Sequence, residues 1–194
     1  TCCNNTASEN RMMERLIVDD LVHWARTYTV DGFRFDLMGH VMLRTMLRAK
    51  EALESLTLRR DGVDGSKIYL YGEGWDYAEV AHGRVGTNAS QINLGGTGIG
   101  SFNDRLREGV MGGSPFGDPR VQGVMTGLFF RPNMLIEQGD ADEQRKRLVE
   151  DNEKVIAAMA GNLREYRFEN KDGFQTPGRD ACWVGSNVGY AAQP

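Results

Sequence analysis

The chain has 194 residues, 40% of them hydrophobic and 26% charged, a balance that supports a folded domain with a sizeable core and excludes a disordered polymer. A net charge of -4 without any Lys/Arg cluster argues against a nucleic-acid partner or an anionic membrane surface. No apolar run approaches the roughly 18 residues of a membrane span, and no basic, apolar leader opens the chain.

In chain order, Cys2 and Cys3 come first and, with Cys182, form no metal-ligand spacing; they read as unpaired thiols, a bridge to Cys182 being the alternative. Asn4-Asn5-Thr6 and Asn88-Ala89-Ser90 match the glycosylation triplet, which is too frequent by chance to carry weight. Thr6-Ala7-Ser8-Glu9 has the form of a capping box, and Met13, Leu16, Ile17, Leu21, Trp24 and Tyr28 then recur at helical spacing. A strand follows around Phe33–Leu37, and a helix over about Val41–Leu56 places Leu43, Met46, Leu47 and Leu53 on its apolar side. Arg60–Gly65 is a turn-rich loop, and a second strand, Ile68–Tyr71, runs into Gly72-Glu73-Gly74-Trp75. Gly83–Gly100 reads as a long loop, with a short third strand at Ile99–Phe102 and a helix over about Asp104–Val110. Gly112–Pro119 is a loop. The last clear helix covers about Asp142–Asn162, with Leu148, Val155, Ile156, Met159 and Leu163 in register; Asn170–Pro194 is turn-rich and resists assignment.

Helix alternating with apolar strand predicts an α/β protein whose parallel sheet is covered by helices, either doubly wound or a (β/α)8 barrel. The glycine signatures of nucleotide-binding folds are missing, and Gly95-Gly96-Thr97-Gly98-Ile99-Gly100 precedes a strand instead of following one. A complete barrel needs about 250 residues, so the barrel reading makes residues 1–194 one incomplete catalytic barrel domain carrying its central strands. The lack of an initiator Met and the ending Ala191-Ala192-Gln193-Pro194 also read as a piece of a longer chain.

Asp36 ends one strand and Glu73 the next, about one strand–helix–strand unit apart, and barrel enzymes place their chemistry at that C-terminal rim. Alternation puts Arg34 on the face of Asp36, where it would keep that carboxylate ionised and oriented. Glu73 would stand above Tyr69 and Tyr71, where desolvation favours a general acid. Two carboxyls about 5 to 5.5 Å apart are what a retaining glycosidase uses. The bland alternative is a structural Arg34–Asp36 ion pair and a solvated turn glutamate. Trp75 and Tyr77 are candidates to stack on sugar rings, and His40 to bond a hydroxyl, although each also fits a structural role. His23 and His82 show no metal-site spacing.

Val30-Asp31-Gly32-Phe33-Arg34-Phe35-Asp36-Leu37-Met38-Gly39-His40 and Tyr69-Leu70-Tyr71-Gly72-Glu73-Gly74-Trp75 resemble the second and third signature regions of the α-amylase superfamily, glycoside hydrolase family 13. Residues 4–25, 102–117 and 124–133 extend the resemblance to the pullulanase-type starch debranching enzymes, plant and algal limit dextrinases included. The resemblance implies that Asp36 is the nucleophile, Glu73 the acid/base and Arg34 the holder of the nucleophile, with His40 and Trp75 contacting substrate. It implies retaining hydrolysis of α-1,6 branch linkages in starch, limit dextrin or pullulan, with a branched α-glucan as partner, no organic cofactor, and structural calcium in relatives. A plastid location follows for plant and algal members and an extracellular one for bacterial members. The family's first and fourth signature regions, the latter with a third essential aspartate, are not found in this chain. The alternatives are a noncatalytic glucan-binding protein from a degenerate barrel, or a member with isoamylase-like or α-1,4 specificity.

Overall fold

A computed structural model describes residues 6–114, 116–160 and 165–177. Cys2, Cys3, Cys182, Leu163 and all but the first residues of the Asn170–Pro194 stretch lie outside them. The chain divides after Phe102 into two compact units.

The first unit is built on a three-stranded parallel sheet in the order β1-β2-β3, formed by β1 (Gly32–Phe35), β2 (Tyr69–Gly72) and β3 (Gly100–Ser101). Its register pairs Arg34 with Tyr71 and Phe35 with Gly72, and Tyr71 with Gly100. Helices α1 (Arg11–Tyr28) and α2 (Leu43–Glu54) lie on one face of this sheet, α2 being the crossover from β1 to β2. Their Val18, Leu21, Val22, Ala25, Met46, Ala49 and Leu53 bury against Phe33, Phe35 and Leu70. Side chains alternate along a strand, so Arg34, Tyr69 and Tyr71 project from the opposite face. Tyr69 is exposed on that face.

Gly72 makes the close pairing of β1 and β2 possible. A Cβ there would stand 2.4 Å from the Phe35 carbonyl oxygen and 2.9 Å from the Phe35 Cβ.

The capping box read at Thr6–Glu9 does not form. Helix α1 begins at Arg11 after Asn10, whose side chain makes no cap bond. Ser8 is instead fully buried: its hydroxyl donates to the His40 carbonyl (3.2 Å) and accepts from the Met42 N–H (3.0 Å). The inner face of α1 also differs from the apolar periodicity, for Glu14 is buried there and Leu16 and Tyr28 are exposed. Glu14 ion-pairs with Arg48 and with Arg44 (3.0 Å) and accepts from the Thr45 hydroxyl (3.3 Å), so both its oxygens are satisfied by α2.

The stretch read as a loop from Arg60 contains the end of a one-turn helix, α3 (Leu58–Asp61), stopped by Gly62 in the left-handed region. The Thr57 N–H, then the Arg60 and Arg26 guanidinium groups, hold the Asp61 carboxyl below its usual range.

In the second unit, α4 (Asp104–Met111) packs on α5 (Ala141–Met159), and Gly109 lets the helices approach: a Cβ would lie 2.9 Å from the Asp151 carbonyl oxygen. Asn103 caps α4, accepting from the Arg105 N–H at 2.9 Å. Asp140 and Glu143 form a reciprocal capping box at the start of α5. Of the expected apolar stripe on α5, Met159 is exposed while Asp151 and Glu153 are buried, Asp151 beside Lys154 (2.7 Å) and Glu153 accepting from the Lys171 N–H (3.2 Å). Strands β4 (Arg167–Glu169) and β5 (Gln175–Pro177) form an antiparallel hairpin whose turn and second strand fall in the stretch that resisted assignment. Its turn rests on the Asn170 side chain, which accepts from the Asp172 and Phe174 N–H groups, and on Gly173 at φ 82.

Replacing Gly72 by Ala is expected to destabilise the protein by about 1–3 kcal/mol through overpacking of β1 against β2, read as a lowered urea midpoint. A second expectation concerns Asp118, whose carboxyl accepts from the Arg120 guanidinium and N–H and is held down to about 2 from 3.8. Its folded value lies below its unfolded one. The contribution is therefore complete above the unfolded pKa and is lost as pH falls through about 2. An Arg120→Gln variant should return the Asp118 titration towards about 3.9, measured by carboxyl NMR.

Candidate active site

The β1–β2 register continues past the strand ends, so Asp36 and Glu73 emerge side by side from the C-terminal edge of the sheet. The Glu73 N–H donates to the Phe35 carbonyl (3.1 Å). Leu37 then turns into the left-handed region at φ 46 and leads a single 3-10 turn, Met38–His40. A left-handed leucine costs about 1 kcal/mol or more, and here it aims a donor. The Leu37 N–H donates to one oxygen of Glu73 at 2.9 Å.

Arg34 spans the pair. One terminal guanidinium nitrogen donates to Asp36 at 2.7 Å and the other to Glu73 at 2.8 Å. The Asp36 hydrogen bond is the main cause that raises the Arg34 pKa above the ordinary arginine value; Glu73 adds to it and desolvation opposes it. The Asp36 side chain is 74% exposed and that of Glu73 22%, so one carboxyl is open for attack on a ligand and the other sits in a more sheltered cradle. Below them Tyr69 and Tyr71 stack (5.6 Å, 18°), Tyr71 meets Phe102 edge-on at 5.9 Å, and the Arg34 guanidinium lies 5.5 Å from the Phe102 ring. Phe102 was not among the residues singled out by the sequence, because its partners lie on other strands.

His40 is buried. Its Nδ1 lies 3.3 Å from a Glu79 oxygen, and its ring meets Tyr77 edge-on at 4.8 Å. Trp75 is half-buried, and its carbonyl oxygen would lie 2.0 Å from a Cβ on Gly39, so the turn after Asp36 and the segment after Glu73 touch backbone to backbone only because residue 39 is glycine. The Gly39 N–H donates to the Glu73 carbonyl at 2.8 Å. Asp36, His40, Glu73 and Trp75 therefore come from two adjacent loops at one end of the sheet, and Arg34 from β1 beneath them.

The segment read as a long loop carries order of its own. The Leu43 N–H donates to the Thr87 carbonyl (2.9 Å) and the Ala89 N–H to the Val41 carbonyl (2.8 Å), while Asn88 between them is buried. The Asn88 side chain donates to the Gly39 carbonyl (2.8 Å) and to Asp76 (2.9 Å). This asparagine belongs to a glycosylation triplet, yet both amide hydrogens are committed inside the protein. His82, which showed no metal-site spacing, is exposed, and its N–H donates to the Asp76 carboxylate at 3.2 Å. Among the described residues no group of three or more His, Cys, Asp and Glu side chains is placed to hold a metal ion, and no helix is long and apolar enough to cross a membrane.

No protein-family model matches the chain. It is 51% identical over 195 residues to the chloroplastic pullulanase 1 of Arabidopsis thaliana, a match that takes in all of this chain and 20% of that protein. To the pullulanase of Klebsiella pneumoniae it is 40% identical over 198 residues, again all of this chain and 17% of the relative. The crystal structure of the Klebsiella pneumoniae pullulanase complexed with maltotriose superimposes with a TM-score of 0.79 at 40% identity, over 98% of this chain and 17% of that one. Along its whole length the chain is homologous to these two pullulanases, and it spans about a fifth of their length.

Proposed function

We propose that this chain is part of the catalytic (β/α)8 barrel of a retaining α-glucan hydrolase that cleaves α-1,6 branch linkages in starch, limit dextrin or pullulan. The observation that carries the reading is the guanidinium of Arg34 donating to Asp36 and Glu73 together at the C-terminal edge of two parallel strands. A helical cover on one sheet face, with a polar and aromatic opposite face, favours a barrel over a doubly wound sheet, which carries helices on both faces. Residues 1–194 are taken as a portion of that one domain.

In this reading Glu73 gives its proton to the glycosidic oxygen while Asp36 attacks the anomeric carbon, so that the C–O bond breaks as the covalent glycosyl–enzyme bond forms. Water then attacks the same carbon, Glu73 takes its proton, and Asp36 leaves as carboxylate. Arg34 keeps Asp36 charged and turned towards the substrate, and the Leu37 N–H holds the Glu73 carboxyl plane. His40, fixed by Glu79 and Tyr77, and Trp75 line the substrate side. The chemistry uses carboxyls and water and needs no organic cofactor, and no step depends on calcium. The substrate is a branched α-glucan. The likeness to a chloroplastic relative favours a plastid over an extracellular location.

Three measurements on the full-length protein test this. Asp36→Asn should reduce hydrolysis of pullulan by about a thousandfold or more, and retained turnover would reject the assignment. Arg34→Lys should lower kcat by about a hundredfold, because an ammonium is a point charge that does not bridge two carboxylates as a guanidinium fork does. Products from pullulan and from amylose should show cleavage of the first only; attack on amylose alone would replace α-1,6 by α-1,4 specificity.

A further inference from the structure

We infer that Asn88 is a positioning residue for Glu73, acting through the Gly39 peptide; this rests on the glycosidase reading above. Asn88 is 1% exposed, and every polar atom of its side chain is used. Its amide nitrogen donates to the Gly39 carbonyl (2.8 Å) and to Asp76 (2.9 Å), and its side-chain oxygen accepts from the Asn93 amide (3.1 Å), which also donates to the Asn88 carbonyl (2.9 Å). With two donors and one acceptor all matched, the amide has a single orientation.

The Gly39 peptide carries this constraint to the reacting group. Its carbonyl is held by Asn88, and its N–H holds the Glu73 carbonyl at 2.8 Å. Asp76, three residues beyond Glu73, is gripped by the second amide hydrogen of Asn88 and by the His82 N–H. One amide group thus holds the turn after Asp36 and the segment after Glu73 at a fixed separation. The Glu73 side chain is then aimed from a main chain that cannot drift away from Leu37, its side-chain donor. Aspartate at position 88 would set oxygens against the Gly39 carbonyl and the Asp76 carboxylate, so shape alone does not satisfy the site.

The leaving group separates the proton donated by Glu73 in glycosylation from its later action as base, when the comparison is made on kcat/KM. A misplaced Glu73 slows departure of a sugar hydroxyl, which must be protonated, far more than departure of fluoride, which needs little help. In the full-length protein, Asn88→Ala and Asn88→Asp should lower kcat on pullulan by about tenfold to a hundredfold with KM changed by less than about threefold. On α-maltosyl fluoride the same variants should lose less than about threefold in kcat/KM, which reports glycosylation alone, against the roughly tenfold to hundredfold lost in kcat/KM on pullulan. Equal losses on both substrates, or an unchanged kcat on pullulan in a folded variant, would overturn the proposal. Should both variants fail to fold, Asn93→Ala, which removes the support of Asn88 and leaves the amide itself, is judged by the same two ratios. Asp36→Asn run in parallel separates the two ideas: turnover surviving that substitution defeats the glycosidase reading, whereas its loss on both substrates leaves Asn88 to be judged on the ratios alone.

Discussion

Arg34 donates from one end of its guanidinium to Asp36 and from the other to Glu73, and the arrangement of this end of the sheet follows from that fork. Two carboxylates presented by neighbouring strands repel each other, and a planar cation between them turns the repulsion into a defined geometry. The guanidinium is half in solvent and stands over an aromatic floor of Tyr71 and Phe102, so it is anchored by ring contact as well as by charge. An arginine on an apolar strand is thereby explained: its strand neighbours Phe33 and Phe35 face the helices, and it faces the other way.

That fork acts only if β1 and β2 hold their register, and two glycines permit it. Gly72 lets β2 lie against the Phe35 backbone, and Gly39 lets the turn after Asp36 lie against the Trp75 backbone. Hydrogen bonds then fix what close approach allows. The Leu37 and Gly39 N–H groups both donate to Glu73, one to its side chain and one to its carbonyl. The Ser8 hydroxyl and the bridge between Met42 and Asn88 hold the far side of the same turn. Short-range strand geometry and long-range polar contacts thus converge on residues 37–42.

The α1–α2 pair shows the same preference for polar fastening. Glu14 is buried with two arginines and a threonine hydroxyl from α2 around it. An ion pair of this kind costs desolvation of both partners, and it persists because each oxygen of the carboxylate has a donor. It also joins the inner side of α1 to α2 through a polar contact that the apolar spacing of α1 did not mark.

The order of helices and strands, the parallel sheet and the placement of Asp36 and Glu73 at two strand ends were legible in the sequence, because period-two and period-3.6 patterns and glycine-rich strand ends are local properties. The β4–β5 hairpin escaped notice because its strands are three residues each and their pattern is too short to register. The capping box at Thr6–Glu9 looked sound locally, yet the helix begins only at Arg11, beyond both members of that box. Nothing near Asn88 marks it as structural, since its partners Gly39 and Asp76 lie 49 and 12 residues away. Residue pattern alone determined which groups stand at the sheet edge. Only the folded chain decided which hydrogen bonds join them, because those bonds form between segments that no local period connects.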